Sequence, residues 1–435
     1  MKGIFIRALQ RNARRAIAIH QPMVIAITGS VGKTSTKQAI YTALEPHFHV
    51  RTAKKNYNNE IGVPLAVFGE ESPGSSLFSW LRLLMRTRSV KEMPDVLILE
   101  FGVDHPGDIA KLCEIAPPMV AVVTGVSTVH AEYFENMEQL AEEKASLITF
   151  IPEDGFALLN HDDSRVKAMA EKTIGKVIRF GSTSHEYGVE DIRITTREDE
   201  DFNPGEIFAT TTAFVKKNDG VIGQLQLRNV LGYAPVMACL AAIALAGQMH
   251  ISPMSVIKDL NRKMMPAPGR LNPIAGIKGS LIIDDSYNAA PVAVSNGLQI
   301  LKMFNPGEEY DRRIAVIGHM AELGKYTLDE HRMVGLRAAE SADLFIAVGE
   351  SMHTAVAAAK EAGMDPDAVE WFGTSVEAGR YLDKVIQEGD IVYVKGSQSA
   401  RMERVVKDIM AEPLRASELL VRQEKKWLMD DENVG

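Results

Sequence analysis

Residues 24–39 read VIAITGSVGKTSTKQA, a glycine loop closed by a lysine and then a hydroxyl. That pattern is a phosphate cradle. Loop N–H groups and the positive end of the following helix face the anion, Lys33 adds a mobile charge, and the Thr34 hydroxyl can ligate Mg²⁺. The elements that must hold these groups are an apolar strand over residues 24–27 and a helix reaching residue 44. The usual P-loop pattern wants a glycine five residues before its second glycine, where this chain has Ile27, so this is the shorter T-G-x-x-G-K-T form. The alternative is an ordinary β–α turn with a solvated lysine, and the strand–loop–helix placement argues against it.

Other reactive side chains fall where a parallel sheet would gather them, at the carboxyl ends of strands. The continuous apolar run DVLILE (95–100) reads as a strand buried on both faces and ends in Glu100. A second run, MVAVVT (119–124), leads to His130. A carboxylate and an imidazole beside a bound nucleotide can serve Mg²⁺, although histidine is a less usual ligand for so hard a cation. Taken singly, Glu100 reads better as a strand-end cap and His130 as a loop histidine; together, beyond a P-loop, the metal reading is favoured. Lys144, in AEEKA on a helix over 137–150, reads from its residues alone as a solvated lysine on a charged face.

Further strands fit residues 156–160 and 177–180, with an alternating, Thr-rich antiparallel patch between 186 and 226. An apolar helix fits 235–247, and the segment 51–60 reads as a polar loop. The stretch MPAPGR (265–270) has the turn chemistry of a domain boundary. Beyond it, strands at 280–284, 313–317, 344–348, 368–371 and 391–394 alternate with helical patterns, which indicates a doubly wound parallel sheet. Polar clusters close three of them: DDSYNA at 284–289, GHMAELG at 318–324 and KGSQS at 395–399. Each could be turn chemistry alone.

At 435 residues the chain has room for two or three domains, and a net charge of −9 argues against a general nucleic-acid binder. Cys113 and Cys239 sit in apolar surroundings without metal-ligand spacing, which reads as reduced, buried thiols in a cytoplasmic protein. No apolar run approaches the roughly 18–20 residues that span a membrane. The first 20 residues place Lys2, Arg7, Arg11, Arg14 and Arg15 among apolar residues, and no acid precedes Glu45. Such a segment is either a helix packed on the first domain with its arginines solvated, or a peripheral contact with an anionic membrane or a protein.

The chain resembles the Mur ligase family, most closely its MurF branch, the enzymes that add D-alanyl-D-alanine to UDP-MurNAc-tripeptide. The stretches that carry the resemblance are ITGSVGKTSTK, NYNNEIGVPL, LILEFGVDHPGDI, HAEYFENMEQLAEEK, PAPGRL, DDSYNA, GHMAELG and VKGSQSARME, in family order. The resemblance implies an α/β protein. Its basic segment (1–22) would precede a central P-loop ATPase domain (23–266), a mostly parallel sheet flanked by helices with a small antiparallel patch. A Rossmann-like C-terminal domain (267–435) would follow. It implies ATP-dependent, ADP-forming amide ligation through an acyl phosphate, with ATP and Mg²⁺ as cofactors, in a cytoplasmic monomer of peptidoglycan precursor synthesis.

By the same resemblance, Gly29, Ser30, Val31, Gly32, Lys33, Thr34 and Ser35 would hold ATP together with Arg270, Tyr287 and Asn288. Thr34, Glu100, His130 and Lys144 would serve metal, Lys144 as a carbamate, which replaces the solvated reading. Lys33, Glu100, His130 and Lys144 would be catalytic. Asn58, Asn59, Lys395, Ser397 and Ser399 would face the substrates, a nucleotide-linked muropeptide and D-alanyl-D-alanine. A Mur-type ligase for another acid or amino acid, polyglutamate-like, is the alternative, and a non-catalytic nucleotide-binding partner subunit is another.

Three departures from the family pattern stand out. The P-loop begins so early that an N-terminal UDP-binding domain has no room before it. The polar G-x-H-N-x-x-N near the base is replaced by GYAPVMA (232–238), where Tyr233 could stack instead. The family's aspartate in G-D-M-A-E-L-G is His319.

Overall fold

A computed structural model describes the chain apart from Met1 and residues 54–56, 75, 128–132, 198–201, 305–311 and 429–435. Contacts divide it into two compact units. One comprises Met1–Ile192, Ala213–Leu225 and Tyr233–Met264, the other Arg193–Thr212, Gln226–Gly232 and Met265–Gly435.

The first sheet contains β1 (Met23–Thr28), β2 (Val50–Thr52), β3 (Val96–Glu100), β4 (Val120–Val123), β5 (Phe156–Asn160), β6 (Lys176–Phe180), β7 (Tyr187–Thr196), β8 (Ala209–Lys217) and β9 (Gly220–Arg228). Their order is β2-β3-β1-β4-β5-β6-β7-β8-β9, and the strands from β2 to β6 are parallel. The helices of this unit are α1 (Lys2–His20), α2 (Lys33–Leu44), α3 (Gly62–Phe68), α4 (Leu77–Thr87), α5 (Asp108–Ile115), α6 (Met137–Thr149), α7 (Ser164–Ala168), α8 (Tyr233–Gln248) and α9 (Pro253–Lys263). Val24, Ala26, Leu97, Leu99, Ala121 and Val123 point into a core shared with α1, α3, α5 and α6. Ile25, Ile27, Ile98 and Val122 alternate with them and are equally buried, toward α2 and α8. Helices on both faces explain why these strands read as unbroken apolar runs.

Neighbouring strands β8 and β9 are joined by Asn218-Asp219, both at positive φ (49° and 65°). A two-residue turn of this kind can only connect antiparallel strands, so the alternating patch is a hairpin. Residues 51–60, read above as loop throughout, differ at their start. Val50–Thr52 pairs with β3 as an edge strand, because the tertiary partner supplies the hydrogen bonds that three half-buried residues cannot organise alone.

The basic N-terminal segment is a packed helix. Leu9, Ala13, Ala16 and Ile17 are buried, while Arg7, Arg11, Arg14 and Arg15 are exposed. Cys113 and Cys239 are buried free thiols, and burial pushes both up to about 12.

The second sheet has the order β10-β11-β15-β12-β13-β14, with β10 (Asn272–Ala275) antiparallel to β11 (Leu281–Asp285). The other four, β12 (Arg313–Gly318), β13 (Leu344–Val348), β14 (Val369–Phe372) and β15 (Ile391–Lys395), run parallel to β11. Alternation sorts its side chains into two cores. Leu281, Ile283, Ala315, Ile317 and Phe345 face one, and Ile282, Ile314, Val316, Ile346 and Val392 face the other.

Candidate active site

In the first unit the cradle is built mainly from backbone. The loop leaves β1 between two parallel neighbours, and α2 starts at Lys33 after Gly32 in the left-handed region (φ 87°). Gly29 has φ 146°, and a Cβ there would stand 2.0 Å from Thr124 Oγ1. Thr124, just past β4, explains that tightness: its hydroxyl donates to the Val31 carbonyl at 2.6 Å. Ser30 donates its N–H to Gly125 O (2.9 Å) and its hydroxyl to Ser127 O (3.1 Å). The loop is therefore clamped on its outer side by the next strand, which leaves the head of α2 open, and a helix N-terminus of this kind can receive an anion. Lys33 Nζ donates to Gly29 O at 2.5 Å, so the ammonium curls over the loop. Ser35 is half-buried in the first turn of α2.

Glu100, at the end of β3, is 4% exposed. Its Oε2 accepts from the Thr34 hydroxyl at 3.4 Å, and its Oε1 lies 2.9 Å from Lys37 Nζ. Lys37 went unmarked in the sequence. Its signal was the four-residue spacing from Lys33, which puts both ammonium groups on one face of α2. Among the described residues no three His, Cys, Asp or Glu side chains gather into a metal cluster. Mg²⁺ is ordinarily held by one or two protein oxygens plus substrate phosphates, and the Thr34–Glu100 oxygens suit that arrangement. His130 lies outside the described residues.

Lys144 is 2% exposed on α6, contrary to the solvated lysine its residues suggest. Burial, and then the Lys33 charge, lower it to about 7. Its neighbour Glu143 accepts from the N–H groups of Gly107 (2.8 Å) and Ile109 (2.9 Å), so it fastens α6 to the start of α5.

The asparagine loop reaches the same strand end. Gly102 N–H donates to Asn58 O at 2.7 Å, and Asn59 Oδ1 accepts from Gly62 N–H at 2.9 Å, where α3 begins. Tyr233, at the head of α8, donates its hydroxyl to Asp162 while its ring stays 39% exposed. Asp162 also accepts from Ser182 and Thr183. Burial opposes its charge, yet these hydrogen bonds hold it below the usual carboxylate range. Burial and Asp162 push the Tyr233 hydroxyl up to about 12.

In the second unit the strand ends carry a network of side chains. Asp284 accepts from Gly269 N–H and Ser286 N–H, both at 3.0 Å, which draws the 265–270 turn onto β11. Arg270 stacks over Tyr287 at 4.2 Å, and exposed Asn288 caps Ala289 N–H at 2.9 Å. Asp285 pairs with Lys395 Nζ at 2.5 Å and accepts from Tyr393 at 3.2 Å. Burial pushes Asp285 up and Lys395 down. Ser397 and Ser399 hydroxyls are 3.0 Å apart, and Ser399 Oγ meets His319 Nε2 at 2.9 Å. The substituted histidine thus reaches the serine motif. Three residues of this network were not singled out in the sequence: Tyr393; Arg422, which donates to Ser286 O at 2.5 Å and Tyr287 O at 3.0 Å; and Glu403, which Arg422 meets at 2.8 Å. Nothing in local pattern announces a pair so far apart.

Comparison with known proteins covers both units. The Mur ligase middle domain matches residues 27–245, and the Mur ligase, glutamate ligase domain matches 269–398. The UDP-N-acetylmuramoyl-tripeptide–D-alanyl-D-alanine ligase of Mycobacterium tuberculosis is 32% identical over 406 residues, 89% of this chain and 73% of that one. The Escherichia coli ligase of the same name is 29% identical over 88% of this chain and 76% of its own. The MurF ligase of Thermotoga maritima, solved in complex with ADP, superposes with a TM-score of 0.73 at 23% identity, covering 93% and 83% of the two chains. With two domain models matched in sequence order and a relative at that identity along most of both chains, the protein belongs to the Mur ligase family.

Proposed function

We propose that the chain is an ATP-dependent, ADP-forming ligase that joins D-alanyl-D-alanine to a UDP-MurNAc-peptide in peptidoglycan precursor synthesis. The observation that carries this reading is the clamped loop at the head of α2, with Lys33, buried Lys144 and the Thr34–Glu100 pair around it. In this reading residues 29–35 bind the phosphates of ATP, and Arg270, Tyr287 and Asn288 serve the nucleotide from the C-terminal domain (267–435). The substrate carboxylate attacks the γ-phosphorus, and the bond to ADP breaks. The amine then attacks the acyl carbon, and phosphate leaves as the nitrogen loses its proton. Lys33 offsets the mutual repulsion of carboxylate and phosphate, the step that clustered cations favour. Asn58 and Asn59 would lie near the acyl substrate, and Lys395, Ser397 and Ser399 would face the amine.

Thr34 and Glu100 would hold Mg²⁺, with His130 and a carbamate of Lys144 as further donors. Bound there, the ion would supply charge neutralisation between the phosphates. An amine near pKa 7 is substantially neutral at physiological pH, and the neutral form adds CO₂ to give a carbamate and a proton. The enzyme would act as a cytoplasmic monomer on small-molecule and peptide substrates, with Tyr233 offering a stacking face to the base.

The test is phosphate release from ATP with UDP-MurNAc-tripeptide, with and without D-alanyl-D-alanine, and mass spectrometry of the product. Release that needs both substrates, with the pentapeptide mass, is expected. Release with another acid or amine and none with this pair would overturn the substrate assignment.

A further inference from the structure

Helix α4 has two apolar faces, and the fold uses one of them. Trp80 and Leu83 point inward at 5% and 4% exposure, packing with Leu9 and Leu65, and Thr87 is buried at 3%. At 100° per residue, Leu77, Leu81, Met85 and Phe78 share a separate arc on the outer side. They are 49%, 46%, 69% and 74% exposed. Arg82 borders that arc, Arg86 lies beyond it in an ion pair with Glu70 at 2.5 Å, and Arg88 falls within it at the helix end.

The neighbouring α1 is held against α4 through Asn12, which donates to Leu84 O (3.3 Å) and Thr87 Oγ1 (3.0 Å). Its outer side adds Arg7, Arg11 and the 65% exposed Ile4. No acidic residue occurs in residues 2–44 or 77–91, although the whole chain carries −9. An apolar stripe bordered by arginines, on a net acidic protein, is a local feature with a definite complement.

We propose that α4, together with the outer side of α1, docks on an anionic phospholipid bilayer, with Phe78, Leu81 and Met85 entering between headgroups. Amphipathic surface helices with basic borders bind in this way, the apolar face sinking to the acyl boundary while the cations meet lipid phosphates. A nucleic acid would satisfy the arginines and leave four large apolar side chains in water. A second copy docked through the same face would set arginine against arginine. An anionic bilayer complements both features at once.

The full chain should cosediment with phosphatidylglycerol/phosphatidylcholine vesicles, and poorly with phosphatidylcholine alone. Binding should fall with added salt. Phe78→Ser with Met85→Ser should lower partitioning by about 10-fold or more, and Arg82→Gln with Arg88→Gln by about 5-fold per charge. All four positions are exposed, so thermal unfolding should match the parent. Leu414→Ser, at a 98% exposed residue of the second unit, should bind like the parent. Absent binding to either vesicle, equal binding to both, or unchanged binding by the two double variants would overturn the proposal. So would a parent dimer in sedimentation equilibrium that Phe78→Ser with Met85→Ser dissolves, which would assign the face to a second copy.

Discussion

The two polar clusters, one in each unit, are made of different material. Around β1 and α2 the cradle itself is backbone, two left-handed glycines and a helix end held by the Thr124 and Ser30 hydroxyls, with the buried Glu100–Lys37 pair beside it. At the ends of β11 and β15 it is done by buried side chains, Asp284 gripping a turn and Asp285 pairing with Lys395. A backbone site tolerates little added volume, because the anion must approach the chain itself. A side-chain site tolerates volume poorly only where it is packed, but it is exposed to loss of a partner, since a buried charge left alone is expensive. The first should therefore break through sterics and catalysis, the second through stability.

The largest effect expected is catalytic. Lys33→Ala should lower phosphate release by about 10³-fold with little change in the urea unfolding midpoint. A loss within 10-fold would remove the cradle from the chemistry. Next, Lys395→Met should destabilise the second unit by about 3–5 kcal/mol in urea unfolding, by leaving Asp285 buried and unpaired. Lys395→Met with Asp285→Leu should recover much of that. If the double variant is no better than the single, the pair is not the source of the cost.

Gly29→Ala should destabilise the first unit by about 2–3 kcal/mol, from the clash with Thr124 and the positive φ. Adding Thr124→Ala should relieve the steric part, and thermal unfolding of the two variants separates the contributions. Smallest is Asp284→Asn, about 1–3 kcal/mol at neutral pH, since an amide presents one acceptor where two N–H groups need one each. Burial raises Asp284 from 3.8 to about 6. Its proton-linked stability is complete below 3.8 and is lost as pH rises through about 6, because the unfolded carboxyl ionises first. That slope should be present in the parent and absent in the Asn variant.

The same contrast governs what could be read in advance. The glycine loop, the buried strands and both α/β series were legible because each has a local signature: glycine spacing, unbroken apolar runs, and alternation of strands with helices. Lys144 was illegible from its neighbours, since a lysine among glutamates on a helix looks solvated. Its burial depends on α6 packing against α5 and the sheet. Lys37 is legible in its four-residue spacing from Lys33. His319 stands out in the sequence as a departure from the family pattern, but its contact with Ser399 joins residues 80 positions apart.

By itself, then, the amino-acid order determined the strand–loop–helix cradle, the parallel sheets and the family, because those rest on periodicity and on short-range backbone requirements. The tertiary structure decided which charges are buried and with whom: Lys37 on Glu100, Lys395 on Asp285, Arg422 on Glu403. It also decided that the arginines of α1 stay in water beside the uncovered face of α4. The reason is physical. A helix or a glycine loop is specified by neighbours in sequence, whereas desolvation and charge pairing are set by atoms that only folding brings within reach.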